Sequence, residues 1–190
     1  MAMRFASAAD AAALLAIYGQ YLDTSVTFEQ DLPSEAEFAR RIGEYGGTHP
    51  YLVWEEGGRP VGYAYAHRLG ERAAYQWSAE LSVYLDRDSR GRGLGRRLYG
   101  ALLELLRLQG VRTVYGCVTV PNPASERLHE AMGFQRTGVW HRSGHKGGAW
   151  RDVTWFERPI AAYDPAPEPV LPIGAVPPAE RAAVLVRYSE

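Results

Sequence analysis

Glu80-Leu81-Ser82-Val83-Tyr84-Leu85 runs through Asp86-Arg87-Asp88-Ser89 into Arg90-Gly91-Arg92-Gly93-Leu94-Gly95. The first six residues read as a β-strand. The last stretch opens a helix, because Leu94, Leu98, Leu102, Leu105 and Leu106 recur on one face. The three glycines between these elements permit positive φ and close backbone approach. Free N–H groups and the partial positive charge at a helix start favour a bound phosphate. Arg87, Arg90, Arg92, Arg96 and Arg97 crowd the same point. The spacing is not that of a dinucleotide fingerprint, since the last glycine comes one residue early, and no Lys-Ser/Thr follows as in a triphosphate loop. Taken alone, the stretch reads either as an anion cradle or as a glycine-rich turn with solvated arginines. A nucleic-acid patch ranks below both, for want of interleaved aromatics and net basic charge.

Upstream, Ser7-Ala8-Ala9-Asp10 reads as a helix cap, and Leu14, Ile17, Tyr18 and Tyr21 carry a first helix to about Leu22. Pro33-Ser34-Glu35 opens a second, which Gly46-Gly47 is expected to end. Tyr51-Leu52-Val53-Trp54, the turn Glu56-Gly57-Gly58-Arg59, and the alternating Val61, Tyr63 and Tyr65 predict a hairpin. Downstream, Gly110 ends the leucine-rich helix, residues 111–118 form a strand, and Pro121-Asn122-Pro123 starts a helix closed by Gly133. Two more strands follow, at about 134–142 and 150–157. The pattern predicts one mixed α+β domain over residues 1–162. Six prolines between Pro165 and Pro178 mark residues 163–190 as an extended tail, with a short helix from Ala179 and an apolar end at 182–186 suited to association.

Composition excludes more than it assigns. The 190 residues are 46% hydrophobic and 12% aromatic, with a formal net charge of −1, so no whole-molecule field draws in nucleic acid or acidic membranes. No apolar run approaches the roughly 20 residues of a membrane span. The start shows no secretory pattern, which leads to the expectation of a cytoplasmic protein. The single cysteine, Cys117, rules out an internal disulfide and a cysteine-cluster metal site, and is expected to be a buried strand residue. Lys146 is the only lysine.

Arg90-Gly91-Arg92-Gly93-Leu94-Gly95 resembles the acetyl-CoA motif of the GNAT N-acetyltransferase superfamily. Arg72-Ala73-Ala74-Tyr75-Gln76-Trp77, Glu80-Leu81-Ser82-Val83-Tyr84, Pro121-Asn122, Ser125, Arg127-Leu128-His129-Glu130 and Trp150-Arg151-Asp152-Val153 narrow the likeness to phosphinothricin and methionine sulfoximine or sulfone N-acetyltransferases. It runs from about Met3 to Pro159. The resemblance implies a mostly antiparallel sheet flanked by about four helices, a splayed strand pair for acetyl-CoA, no metal, a small amino acid-like acceptor and a homodimer. Acetylation of protein N-termini or other amines, and a non-catalytic acyl-CoA-binding module, are the competing functions.

The same resemblance implies roles. The main chain of Val83, Tyr84 and Leu85 would pair with the pantetheine arm, and the amides of residues 91–96 would hold the pyrophosphate. Asn122, with Ser125 after it, would contact the arm, although an asparagine beside proline is equally a helix N-cap. Glu80 would be the base. Flanked by Ala79 and Leu81, its carboxylate is expected to have a raised pKa. His129 stands where many relatives carry a tyrosine that protonates the thiolate, and would act as acid or in a relay with Glu80. Arg72 and Tyr75, in the stretch with Ala73 and Ala74, would bind the acceptor carboxylate, with Phe28 lining the pocket. Lys146 is a substrate-binding candidate by the family pattern and an exposed turn cation by default.

Overall fold

The computed structural model describes residues 2–190. Seven strands form one sheet in the order β1-β2-β3-β4-β5-β7-β6. They are β1 (Ala2–Phe5), β2 (Tyr51–Glu56), β3 (Arg59–Arg68), β4 (Ser78–Leu85), β5 (Thr113–Val120), β6 (Gln135–Lys146) and β7 (Ala149–Pro159). Every pairing is antiparallel except β4 with β5. Five helices accompany the sheet, where about four were expected: α1 (Ala11–Gly19), α2 (Glu35–Thr48), α3 (Leu94–Gln109), α4 (Pro123–Ala131) and α5 (Pro178–Ser189).

The pleat sends alternate side chains to opposite faces and so builds two cores. Leu52, Trp54, Ala64, Ala66 and Leu81 meet the leucine face of α3, whose Leu94, Leu98, Leu102, Leu105 and Leu106 are all buried. Val53, Tyr63 and Tyr51 meet Leu14, Ile17, Phe38 and Ile42 of α1 and α2 on the other side.

Two local expectations need correction. Helix α2 runs through Gly46 and Gly47 and stops at Thr48. The backbone of the glycines tolerates a helix, and the break comes where Pro50 disfavours αR at His49, which is extended at φ −125° and ψ 164°. Helix α1 ends at Gly19 and leaves Tyr21 in the turns beyond it. The Met3–Phe5 start, too short to show a period, pairs with β2 as an edge strand.

Residues 163–190 share the α3-side core, into which Ile173, Val176 and Val184 are buried. Gln109, at the end of α3, straps this segment down. Its side-chain amide donates to the carbonyl of Leu171 at 2.6 Å, and its main-chain carbonyl accepts from the Leu171 N–H at 2.9 Å. The C-terminal helix is a full 12-residue element.

Candidate active site

Strands β4 and β5 are in register only at Ser78↔Thr113, Ala79↔Val114 and Glu80↔Tyr115. Beyond Glu80 they part, while β4 stays paired with β3 as far as Leu85↔Gly62 and β5 with β7 as far as Val120↔Asp152. The edge of β4 that faces β5 is therefore open from Leu81 onward. Peptide groups there need partners, and an extended chain laid into the gap would supply them.

The gap widens into a cleft of about 480 Å3. Val83, Leu85, Arg90, Gly91, Gly93, Leu94, Gly95, Arg96, Asn122 and Ser125 all line it. Gly91 and Gly93 lie at φ +74° and +81°, which turns the chain sharply into α3 with its first N–H groups pointing outward. Gly95 matters differently: it packs against Leu128 of α4. Arg87 is fastened to Gln20 and Asp23, and the Arg90 guanidinium lies over the Tyr21 ring, 4.9 Å from its centroid.

Two motif residues sit elsewhere. Arg92 turns to Glu56, making a two-pronged pair at 2.7 and 2.9 Å, and only its main chain remains for the cleft. The Tyr84 side chain joins the tyrosine cluster on the α1–α2 face, against Tyr18, Tyr21 and Tyr63. Sequence reading missed Tyr21, Thr24, Val26, Ala124, Arg127 and Leu128 as cleft residues. The first three come from the α1–α2 connection, brought in only by packing. Asn122 is the N-cap of α4, accepting from the Ser125 N–H at 3.3 Å, and also lines the cleft.

Glu80 is the last paired residue before the strands diverge. It faces His67 across β3, and burial raises its pKa against a smaller opposing effect of His67. A carboxylate so placed holds its proton more readily than an exposed one. Cys117 is exposed, not buried. Desolvation by its surroundings, with Glu80 adding a smaller effect, still pushes its thiol up to about 12, which leaves little thiolate at neutral pH.

His129 is 2% exposed and lies behind the sheet. Its ring stacks on Phe156 and crowds Gly116 of β5 so closely that a Cβ there has no room. Nδ1 lies 2.8 Å from the Ser125 carbonyl, so the network assigns the proton to Nδ1 and leaves Nε2 to accept from the Tyr99 hydroxyl at 3.3 Å. Burial lowers its pKa, partly offset by the Ser125 carbonyl. The pleat separates this pair from Glu80, which projects to the α1–α2 face. Tyr99, hidden in a leucine-rich helix, carried no sequence signal.

The expected acceptor residues are spread over three places. Arg72, Ala73, Ala74 and Tyr75 form an exposed turn ahead of β4. Tyr75 lines an apolar groove of about 520 Å3 with Leu69, Tyr115, Trp140 and Trp155. Phe28 lies against Gly144 of β6. Lys146 is 6% exposed, which overturns the exposed-cation default, and its ammonium donates to the Glu29 carbonyl. With Gln30 donating to the His145 carbonyl at 3.1 Å, these contacts fasten the α1–α2 connection to the β6–β7 hairpin.

Residues 3–155 match the family described as an acetyltransferase (GNAT) domain. The chain belongs to the GNAT acetyltransferase family. A phosphinothricin N-acetyltransferase of Streptomyces viridochromogenes is 36% identical over 172 residues, 90% of this chain and 93% of that one. The L-methionine sulfoximine/L-methionine sulfone acetyltransferase of Salmonella typhimurium is 31% identical over 161 residues, 83% of this chain and 93% of that one. A phosphinothricin acetyltransferase structure from Sinorhizobium meliloti, solved with AcCoA, superposes with a TM-score of 0.81 at 34% identity, covering 93% of this chain and 95% of that one. GNAT enzymes draw on acetyl-CoA, and the donor set here fits it: an open β4 edge for an amide-bearing arm and a positive-φ turn of free amides with arginines for a pyrophosphate. No described helix is long and apolar enough to cross a membrane.

Proposed function

We propose that this protein moves the acetyl group of acetyl-CoA to the α-amine of a small amino acid of the phosphinothricin or methionine sulfoximine and sulfone type, by direct attack. The observation that carries this reading is the position of Glu80 at the vertex of the strand divergence, in register with His67 of β3. Acetyl-CoA, when bound, supplies the activated acyl group. The open edge at Val83, Tyr84 and Leu85 positions its arm, the amides of residues 91–95 hold its pyrophosphate, the Arg96 N–H being already donated to the Gly93 carbonyl at 3.1 Å, and Asn122 and Ser125 close the far side.

Glu80 takes the proton that the acceptor ammonium must lose, directly or through one water. Its raised pKa brings it closer to the working pH than a free glutamate. His129, whose pKa burial lowers, accepts from the Tyr99 hydroxyl, and burial raises the Tyr99 pKa in turn. The pair therefore orders the wall behind β5, and the sulfur leaves as a thiolate. Arg72 binds the acceptor carboxylate with Tyr75 beside it.

Dependence on acetyl-CoA supports a cytoplasmic location, and the β6 edge together with the exposed Trp140 of β6 (59%) and Trp150 of β7 (65%) supports a homodimer through the β6–β7 hairpin. The deciding experiment is thiol release from acetyl-CoA with methionine sulfone, methionine sulfoximine, phosphinothricin and N-terminal peptides as acceptors. Turnover with the amino acids is expected. Turnover with peptides alone overturns the proposal, and binding of acetyl-CoA without turnover of any amine would point to a non-catalytic module.

A further inference from the structure

The chain leaving α1 is fastened to the end of β4 and to the turn beyond it. The Gln20 side-chain oxygen accepts from the Arg87 N–H at 2.9 Å, and its amide donates to Asp86 at 3.4 Å. Tyr21, next along, is 8% exposed, and its ring meets that of Tyr84 edge-on with centroids 5.4 Å apart. The Tyr21 hydroxyl donates to the Leu85 carbonyl at 2.5 Å. That bond uses the only proton the phenol has, so the oxygen is left as an acceptor. It accepts from Nε of Arg90 at 3.3 Å, while the guanidinium carbon lies 4.9 Å from the Tyr21 ring centroid. One tyrosine thus holds the inner N–H and part of the face of Arg90, and the two terminal nitrogens remain.

The neighbouring arginines of the turn are engaged elsewhere. Arg87 is tied to Gln20 and Asp23, and Arg92 to Glu56. Arg90 pairs with no carboxylate among the described residues, so its charge is free for an anion in the cleft that it and Tyr21 both line, beside Gly91 and Gly93. A guanidinium fork grips phosphate oxygens in pairs only when its plane is set. An arginine held in advance also surrenders less freedom on binding than one that swings in solvent.

The anchor of the hydroxyl lies on the open edge itself. The Asp86 N–H donates to the Val61 carbonyl at 2.9 Å, so at this end of β4 the even-numbered peptide groups face β3 and those of Val83 and Leu85 face the gap. Tyr21 occupies the Leu85 carbonyl. The arm of acetyl-CoA is left with the Val83 peptide groups and the Leu85 N–H, and the edge stops where Arg90 begins. We propose that Tyr21 is a positioning residue for the donor, which aims the free end of Arg90 at the pyrophosphate of acetyl-CoA from a hydroxyl anchored on β4. This rests on the placement of acetyl-CoA in the cleft given above, and adds to it a residue 69 positions before Arg90 in the chain.

Equilibrium titration of the full chain with acetyl-CoA tests this without reference to the acceptor. Tyr21→Phe keeps the ring and deletes the hydroxyl, and should raise Kd about 5–10-fold. Arg90→Ala should raise it at least as much. In the Arg90→Ala background Tyr21→Phe should cost less than about 2-fold, because the group it aims is gone. The full penalty in both backgrounds shows a structural role alone and overturns the proposal. Arg90→Lys keeps the charge but lacks the Nε–H and the fork, and its Kd should stay within about 2-fold of that of Arg90→Ala. A lysine variant with the unaltered Kd overturns the proposal even if thermal unfolding shows that Tyr21→Phe does not fold. Lost affinity in Arg90→Ala with none lost in Tyr21→Phe overturns the Tyr21 assignment and leaves the cleft standing. Unaltered affinity in Arg90→Ala, Tyr21→Phe and Gly93→Ala together overturns the placement of acetyl-CoA as well.

Discussion

A single carboxylate illustrates how one residue serves chemistry against stability. Burial raises the pKa of Glu80, so ionising it is harder in the folded chain than in the unfolded one. The ionised form therefore opposes folding above that raised pKa, and the penalty disappears as pH falls below the ordinary glutamate range. Glu80→Gln should raise the melting temperature at pH 8, with the gap closing toward pH 4, while lowering kcat about 100-fold or more and leaving acetyl-CoA affinity nearly intact. A variant that loses stability at pH 8, or keeps the wild-type rate across the alkaline range, would reject Glu80 as base. Gly93 makes a second residue-scale test. It sits at φ +81° with open space where a side chain would begin, so Gly93→Ala is penalised by backbone conformation alone, about 1–2 kcal/mol. The expected readout is a several-fold rise in KM for acetyl-CoA with KM for the acceptor unchanged.

At the scale of elements, the α1–α2 connection and the β6–β7 hairpin act together. Phe28 on Gly144, Gln30 on the His145 carbonyl and Lys146 on the Glu29 carbonyl join two segments more than a hundred residues apart in sequence. Glu29 also pairs with Arg41 of α2, so the latch ties that connection to α2 as well as to the hairpin. Lys146→Met keeps the aliphatic stem and deletes the donor, leaving a carbonyl to be satisfied by water. KM for the amino acid should rise several-fold, with KM for acetyl-CoA constant, in parallel initial-rate titrations of the two substrates. A change confined to acetyl-CoA would show that the latch serves the other cleft. The glycine-rich turn, the leucine face of α3 and the β2–β3 hairpin were legible in sequence because each is specified by local period and turn chemistry. The latch was not, because a lysine in a glycine turn looks the same whether it meets solvent or a distant carbonyl.

For the whole molecule, the C-terminal segment decides how far the domain extends. Val184 is 2% exposed and Val186 58%, although the sequence presents them as one apolar end. Val184→Asp places an unpaired carboxylate in the α3-side core and should destabilise by about 3 kcal/mol or more; Val186→Asp should change stability by less than about 0.5 kcal/mol. Chemical denaturation of both variants checks this, and equal effects would mean that α5 does not hold its docked position in solution. By itself the sequence determined the mixed α+β class and the glycine-rich strand-to-helix turn, since local periodicity and glycine placement are written along the chain. Only the tertiary structure decided where β4 and β5 part, that Arg92 leaves the cleft for Glu56, that His129 is buried with Tyr99, and that Lys146 is a latch. Those outcomes depend on contacts between segments far apart in sequence, set by packing and desolvation, and neither acts until the chain has folded.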